Sequence, residues 1–465
     1  MMPFSGFVVG MAPPCPGDES DGGRAMPALE QHERTGRSVV VGLGCLAALW
    51  AIGHFLQTYG MQGLAVDHAA IRGWLAGDDL YAYRSLDARL GTGRPPITAL
   101  LLTPAVALPL TAAGWLLALV GMAALTLAVL ALVGTVARRY GRSRGPAVLL
   151  AATLALLAEP VRAALGLGQL DLLLFGLITA DVVALRRSAW ARRRAAWWPG
   201  PPDLRPRGRR DVLRRLWSTG AWAGIGVGLA SALAVGPVLF IVYLVVTRQW
   251  RPALTAVTTA ATLVLGALLL APGATATWFG TVLPQVDRPG PVGDPANQSL
   301  AGLLARLYDS ASTPVLVWLS FAGLVLAVGL IRARAAHADG DEITAFTLIG
   351  LTGTATAPVT TSHELIWMLP AVLILVDAAA RLRANPRRPR PKRSTGVGYA
   401  SAALVTYLLL ALPAKWAVGW NAYAFAVIVL MNALPWRPGM APATPPLRRP
   451  VASLRVPAIP GPRGS

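Results

Sequence analysis

Asp67 is the residue best placed for chemistry, because it lies just past the first apolar stretch, in GLAVDHAAIRGWLAGDDLYAYR. The spacing of VDHAAIRGWL predicts a short amphipathic helix lying at a membrane interface, with Asp67 near its start. A carboxylate held there is suited to take a proton from a sugar or lipid hydroxyl. The ordinary alternative is a solvated loop carboxylate, and Asp78, Asp79 and Asp87 compete for any catalytic role.

Further along, VRAALGLGQLD brackets a break between two apolar stretches. Glu159 and Pro160 end one span, Gly166 and Gly168 loosen the chain, and Gln169 opens the next helix. A helix N-terminus with Arg162 nearby makes a phosphate site; helix capping with a snorkelling Arg accounts for the same residues equally well. Asp171 and Asp181 fall inside an apolar helix, where an ionisable group needs a partner or a cavity. Asp171 reads as facing a cavity, and Asp181 as a partner for Arg186 or Arg187. His363, in APVTTSHELIWMLP, stands at the mouth of a crossing. A lone His there is more commonly a cap than a ligand. Glu364 beside it makes a metal conceivable, but no two His residues show ligand spacing such as HExxH, so no metal site is expected.

These residues must be positioned by membrane helices. The chain has 465 residues, 54% hydrophobic and 14% charged, against about 25% charged in soluble proteins. Dense Arg/Lys blocks alternate with long apolar stretches, and 186–215 alone carries eleven Arg against two Asp. Loops 58–96 and 272–312 are nearly balanced. By the positive-inside rule the blocks are cytoplasmic and the balanced loops face outward. The net charge of +20 is explained by orientation and anionic headgroups, so nucleic acid is not an expected partner. Cys15 and Cys45 make no disulfide framework.

Charge parity then gives crossings near 38–56, 113–135, 146–158, 169–185, 219–233, 236–247, 253–271, 313–331, 343–357, 365–379, 396–412 and 417–434. In addition, 97–110, broken by Pro104 and Pro109, reads as a re-entrant half-helix from the outer face. The expectation is an all-α polytopic membrane protein of about twelve transmembrane helices, with both termini inside. Residues 1–36 and 436–465 read as disordered tails flanking a domain at 37–435. No internal repeat of the kind transporters carry is evident. Under this topology Asp67, Arg94, Arg162, Gln169, Asn297, Gln298 and His363 all gather on the outer face, which predicts a polar cavity there.

Four stretches now carry a resemblance. They are Asp67 with DDLYAYR and then RPPITALLLTPAVALP, VRAALGLGQLDLLLFGLITAD, NQSLAGLLARL, and APVTTSHELIWMLPAVL. In this order the chain, over about 38–434, resembles the polyprenol-phosphate-mannose-dependent α-1,2-mannosyltransferases of the actinobacterial cell envelope, glycosyltransferase family 87 of the GT-C superfamily. The resemblance implies a GT-C-like membrane enzyme working at the outer face of the plasma membrane. It would use a polyprenyl-phosphate-mannose donor, a lipid-linked or envelope glycan acceptor and no cofactor, and would invert the anomeric carbon. Asp67 matches the family's catalytic Asp in the first outer loop. His363 matches the first His of its Ser-Trp-x-His-His motif, near the donor phosphate.

The sequence departs from the pattern at three places. Thr361 stands where Trp is usual, Glu364 replaces the second His, and Ala234 lies where a Lys is usual. In this reading Asp67 is the general base, Arg162 and His363 hold the phosphate, and Gln169, Asn297 and Gln298 bond sugar hydroxyls. The rivals are a secondary transporter or lipid flippase, and an inactive family member serving as an assembly partner.

Overall fold

The computed structural model describes residues 42, 44–84, 91–141, 143–197, 208–285, 288, 290–308, 315–383, 391–412 and 414–437. Asp87, the tail expected over 1–36, and 438–465 of the other expected tail lie outside the described residues. The chain divides into two compact units, Met1–Gly53 and His54–Ser465. Residues 44–53 of the first are helical, and the helices that follow belong to the second.

The described residues are helical apart from loops and one isolated bridge, Arg84 to Gly91. In order come α1 (Gln62–Leu75), α2 (Pro96–Val106), α3 (Leu110–Arg139), α4 (Arg144–Leu157), α5 (Glu159–Leu167), α6 (Asp171–Trp197), α7 (Arg209–Thr219), α8 (Ile225–Leu233), α9 (Val238–Val246) and α10 (Trp250–Leu270). A short α11 (Pro272–Thr277), α12 (Leu300–Leu307), α13 (Val315–Ala338) and α14 (Glu342–Thr356) follow. A 3-10 turn, Ser362–Trp367, leads into α15 (Met368–Arg383), and α16 (Pro391–Ala411), α17 (Ala414–Gly419) and α18 (Ala422–Ala433) complete the series.

Four segments among them are long and apolar enough to cross a membrane: α3, α10, α13, and the turn with α15. The pair α4 and α5 makes a fifth if its 68° bend lies within one span. This is a multi-pass membrane protein. The thirty residues of α3 rise about 45 Å, more than the ~30 Å hydrocarbon core. That helix ends with Arg138 and Arg139 in its last turn, where cations complement the helix dipole. The regions expected to cross near 219–233 and 236–247 hold only nine-residue helices, α8 and α9. Each rises about 14 Å, too short to cross alone. They are interrupted at Ala234–Pro237, where Ala234 is extended and Pro237 caps α9.

The bend between α4 and α5 has a local cause. Pro160 fits the first turn of α5 but could not continue α4, for want of an N–H to donate. α14 lies at the centre of the bundle, buried on every face from Ile343 to Thr352. Its Thr347 and Thr352 hydroxyls donate to the carbonyls of Ile343 and Leu348, so they need no outside partner. Helices α3 and α6 pack together, as do α8 with α10, α13 with α14, and α15 with α16.

Candidate active site

On α1 the buried residues Leu64, Asp67, His68 and Ile71 fall at positions i, i+3, i+4 and i+7. That is one helical face, so the carboxylate of Asp67 points inward with the apolar stripe instead of into solvent. The helix starts at Gln62, which puts Asp67 in its second turn and corrects the expectation that it lies near the start. Ile71 belongs to an apolar cluster with Leu80, Tyr81, Leu102, Val106 and Trp278, fixing α1 against α2 and the segment after α11. His68 meets the carbonyl of Leu108 at 3.3 Å, which ties the same face to the turn before α3.

Asp67 Oδ2 accepts from Arg94 Nε at 2.6 Å, and Arg94 Nη2 donates to Gln169 Oε1. Among the described residues Asp67 Oδ1 accepts no hydrogen bond. Burial alone would lower the Arg94 pKa, but Asp67, then Asp171 and Glu364, more than offset that and raise it. His363 Nε2 lies 3.7 Å from Asp171 Oδ2, and His363 Nδ1 lies 2.8 Å from the Thr361 hydroxyl. Three of the four sequence stretches therefore meet at one place: Asp67 and Arg94, Gln169 and Asp171, and His363 with Glu364.

Each member is held for a stated reason. Arg94 precedes Pro95 and Pro96, which start α2 and keep Arg94 outside it. Arg288 grips the strap that carries Arg94. Its Nε donates to the carbonyl of Thr92 at 2.8 Å, Nη2 donates to that of Tyr81, and the guanidinium lies over the Tyr81 ring. Tyr81 in turn donates to the carbonyl of Arg94 at 3.0 Å. Burial raises the Tyr81 pKa and lowers that of Arg288. Gln169 is aimed by Gly168, whose φ of +69° ends α5 in the left-handed region. A Cβ at Gly168 would collide with Leu64, so the glycine fixes this turn rather than loosening it. Glu364 closes a capping box with Thr361, accepting from its N–H at 2.9 Å. Trp367 anchors the same turn between Phe175 of α6 and Phe240 of α9.

The remaining expected site residues have other partners. Arg162 donates to Glu159 at 3.0 Å and to the carbonyl of Ala411 at 3.5 Å, and its buried Nε has no partner. Tyr59 donates to the same Glu159. Asn297 uses its whole amide on backbone, donating to the carbonyls of Val292 and Pro358 and accepting from the N–H of Ser299 and Thr360. Gln298 donates to the carbonyls of Pro295 and Val418, while its buried Oε1 has no partner. Asn297 through its side chain, and Gln298 through its backbone N–H to the Thr360 carbonyl at 2.7 Å, thus hold 358–360, the segment that delivers His363. Asp181 accepts from the N–H of Val227 at 2.7 Å, which is not the Arg186 or Arg187 pairing expected for it. Arg94 is the residue whose role went unread. Its signal was an Arg fixed by two following prolines in the loop that carries Asp67. Among the described residues no group of three or more His, Cys, Asp or Glu could hold a metal ion.

The family model of glycosyltransferase family 87 matches residues 94–362. The chain is 28% identical over 376 residues to a polyprenol-phosphate-mannose-dependent alpha-(1-2)-phosphatidylinositol mannoside mannosyltransferase of Mycobacterium tuberculosis, covering 76% of this chain and 79% of that one. It is 25% identical over 374 residues to the corresponding phosphatidylinositol pentamannoside mannosyltransferase of the same species, covering 78% and 75%. Among solved structures it is similar to ArnT from Cupriavidus metallidurans bound to undecaprenyl phosphate. That similarity has a TM-score of 0.34 and 16% identity over 85% of this chain and 76% of that one, too low to carry any residue across.

Proposed function

We infer that this chain, which belongs to glycosyltransferase family 87, transfers a mannosyl residue from polyprenyl-phosphate-mannose to a hydroxyl of a lipid-linked or cell-envelope glycan, forming an α-1,2 linkage with inversion. The donor class follows the relatives' names. The observation that carries the reading is the meeting of Asp67 with Arg94, Gln169, Asp171 and His363. An acceptor hydroxyl attacks the anomeric carbon while the bond from that carbon to the phosphate oxygen breaks. Polyprenyl phosphate leaves with the electron pair, and Asp67 Oδ1 takes the hydroxyl proton. Arg94 and Gln169 orient the carboxylate. The leaving phosphate is met by His363 and by Arg162, whose Nε is unpartnered on a helix packed against the His363 turn. Gln298 Oε1, buried and unpartnered, is assigned to a sugar hydroxyl that would have to enter between 295–298 and Val418, whereas Asn297 acts by positioning.

The site faces outward in this account, within a GT-C-like multi-pass bundle with both termini inside. Three helices support that orientation. α3 starts beside Asp67 and ends at Arg138 and Arg139; α6 starts at Asp171 and carries Arg186 to Arg194; the His363 turn runs into α15, which ends in Arg381 and Arg383. In each case the site lies at one end and the Arg block at the other, as the positive-inside rule requires. The test is donor dependence in washed membranes from cells expressing the chain. Labelled polyprenyl-phosphate-mannose should give a mannosylated lipid product without added nucleotide sugar. Transfer from GDP-mannose under conditions that block polyprenyl-phosphate-mannose formation would reject the reading.

A further inference from the structure

At the end of α3 and α6 remote from Asp67, a cavity of about 1120 Å³ opens among α3, α4, α6, α7 and residues 337–342. Asp171 and Arg186 are fifteen residues apart on α6, so about 22 Å of helix separates the Arg rim of this cavity from the mannosyl site, while its apolar wall reaches up to Gly176. Its volume exceeds the roughly 300–1,000 Å³ of small-molecule pockets, and its two parts differ in chemistry. One wall, Leu127 to Ala131 with Gly176 to Val183, is almost wholly apolar. Leu127 and Leu130 are 67% and 56% exposed on a helix that crosses the membrane, so this wall opens toward acyl chains. The rim carries Arg138, Arg144, Arg186, Arg187, Arg192 and Arg193. From Leu127 to Arg138 the helix rises about 16 Å, close to the hydrocarbon depth of one leaflet.

The rim carries a net positive charge: Asp341 and Glu342 act on Arg186, but Arg138 and Arg139 crowd the same guanidinium. The one carboxylate in the lining, Glu342, is engaged by His337 at 2.7 Å and by the Tyr243 hydroxyl at 3.1 Å. Among the described residues no carboxylate forms an ion pair with Arg138, Arg144, Arg186, Arg187 or Arg192. Trp190, Trp197 and Trp217 stand exposed at the same level, where indoles sit at a membrane–water interface. Beside them α7 has no buried residue and presents Leu213, Leu216 and Trp217 among its arginines, the composition of a helix lying in the interface.

We propose that this cavity binds an anionic phospholipid of the leaflet on the Arg-rich side, its phosphate among the rim guanidiniums and an acyl chain along the Leu127–Ala131 wall. A soluble phosphate would use the rim but leave the apolar wall empty, and a zwitterionic lipid would leave the net positive charge of the rim uncompensated.

The test is thermal unfolding of the purified full chain in neutral detergent, titrated separately with phosphatidylglycerol, phosphatidylcholine and glycerol phosphate. Phosphatidylglycerol should raise the midpoint, while the other two at equal concentration should not. Arg144→Gln with Arg186→Gln should weaken the phosphatidylglycerol response about 25-fold, at about fivefold per guanidinium removed. Arg248→Gln with Arg251→Gln, a basic pair outside the cavity, should leave it intact. Equal stabilisation by phosphatidylcholine, full stabilisation by glycerol phosphate, or an unchanged response in the Arg144/Arg186 variant would each overturn the proposal. Should that variant not fold, wild-type Trp emission decides. Phosphatidylglycerol brominated on its acyl chains should quench it more than brominated phosphatidylcholine, and equal quenching would also overturn the proposal.

Discussion

Replacing Arg94 with Met removes the cation but keeps most of the side-chain volume. It leaves Asp67, whose side chain is 8% exposed, without its 2.6 Å partner, and leaves Gln169 Oε1 bare. Removing one member of a buried ion pair costs about 3–5 kcal/mol. The Arg94 side chain keeps 22% of its surface exposed, which places the expected loss near the lower end, about 3 kcal/mol. Much of that is the penalty of a stranded carboxylate, so adding Asp67→Asn should restore part of it. The assay is a double-mutant cycle on thermal and denaturant midpoints in detergent, with a predicted coupling above about 1.5 kcal/mol, within the range for contacting residues. Additive effects of the two substitutions would refute the pairing as the source of the loss. The pH dependence has a definite sign. The folded-state pKa of Arg94 is raised, so its contribution is fully present below its unfolded value and is lost only as pH rises through the still higher folded value. The coupling should therefore persist at pH 9, and its loss there would contradict the assignment.

Other expectations follow from the same geometry. Asn297→Ala strands the N–H groups of Ser299 and Thr360 and should lower stability by about 1–3 kcal/mol, whereas His363→Ala should lower transfer while leaving the thermal midpoint near wild type; the two variants can be separated by midpoint alone. Gly168→Ala places a Cβ in the left-handed region and against Leu64, so stability should drop by at least about 1–2 kcal/mol and transfer should fall as Gln169 shifts, measured by unfolding and turnover together. In a Cys-free background, Ala76→Cys and Ala296→Cys should react with an impermeant maleimide in intact cells, while Ala195→Cys should react only after permeabilisation; early labelling of position 195 would invert the orientation.

The sequence was most informative where physical constraints act locally. Arg blocks and apolar runs mark the ends and bodies of α3, α10, α13 and α15, because hydrocarbon excludes charge at any position along a helix. Asp67, Gln169 and His363 stood out for the same reason: polar residues beside apolar runs need a purpose. Three-dimensional partnerships were less legible. Arg94 is 27 residues from Asp67 across an irregular loop, and no periodicity links them. Asn297 looks like a sugar ligand by residue type, yet its amide is saturated by a loop sixty residues away. The hydrophobicity of 219–247 suggests two crossings, but the extended Ala234 beside Gly236 and Pro237 breaks it into two nine-residue helices.

The central claim, that Asp67 removes the acceptor proton, is tested most directly by single-turnover mannosyl transfer from polyprenyl-phosphate-mannose by Asp67→Asn. Asn keeps the size of the side chain and an oxygen for Arg94 but not the ion pair, so the thermal midpoint should fall by less than in Arg94→Met, and transfer is measured per folded protein. Transfer should fall by at least about 100-fold, the lower range for loss of a general base; turnover close to wild type in the folded variant would contradict the claim.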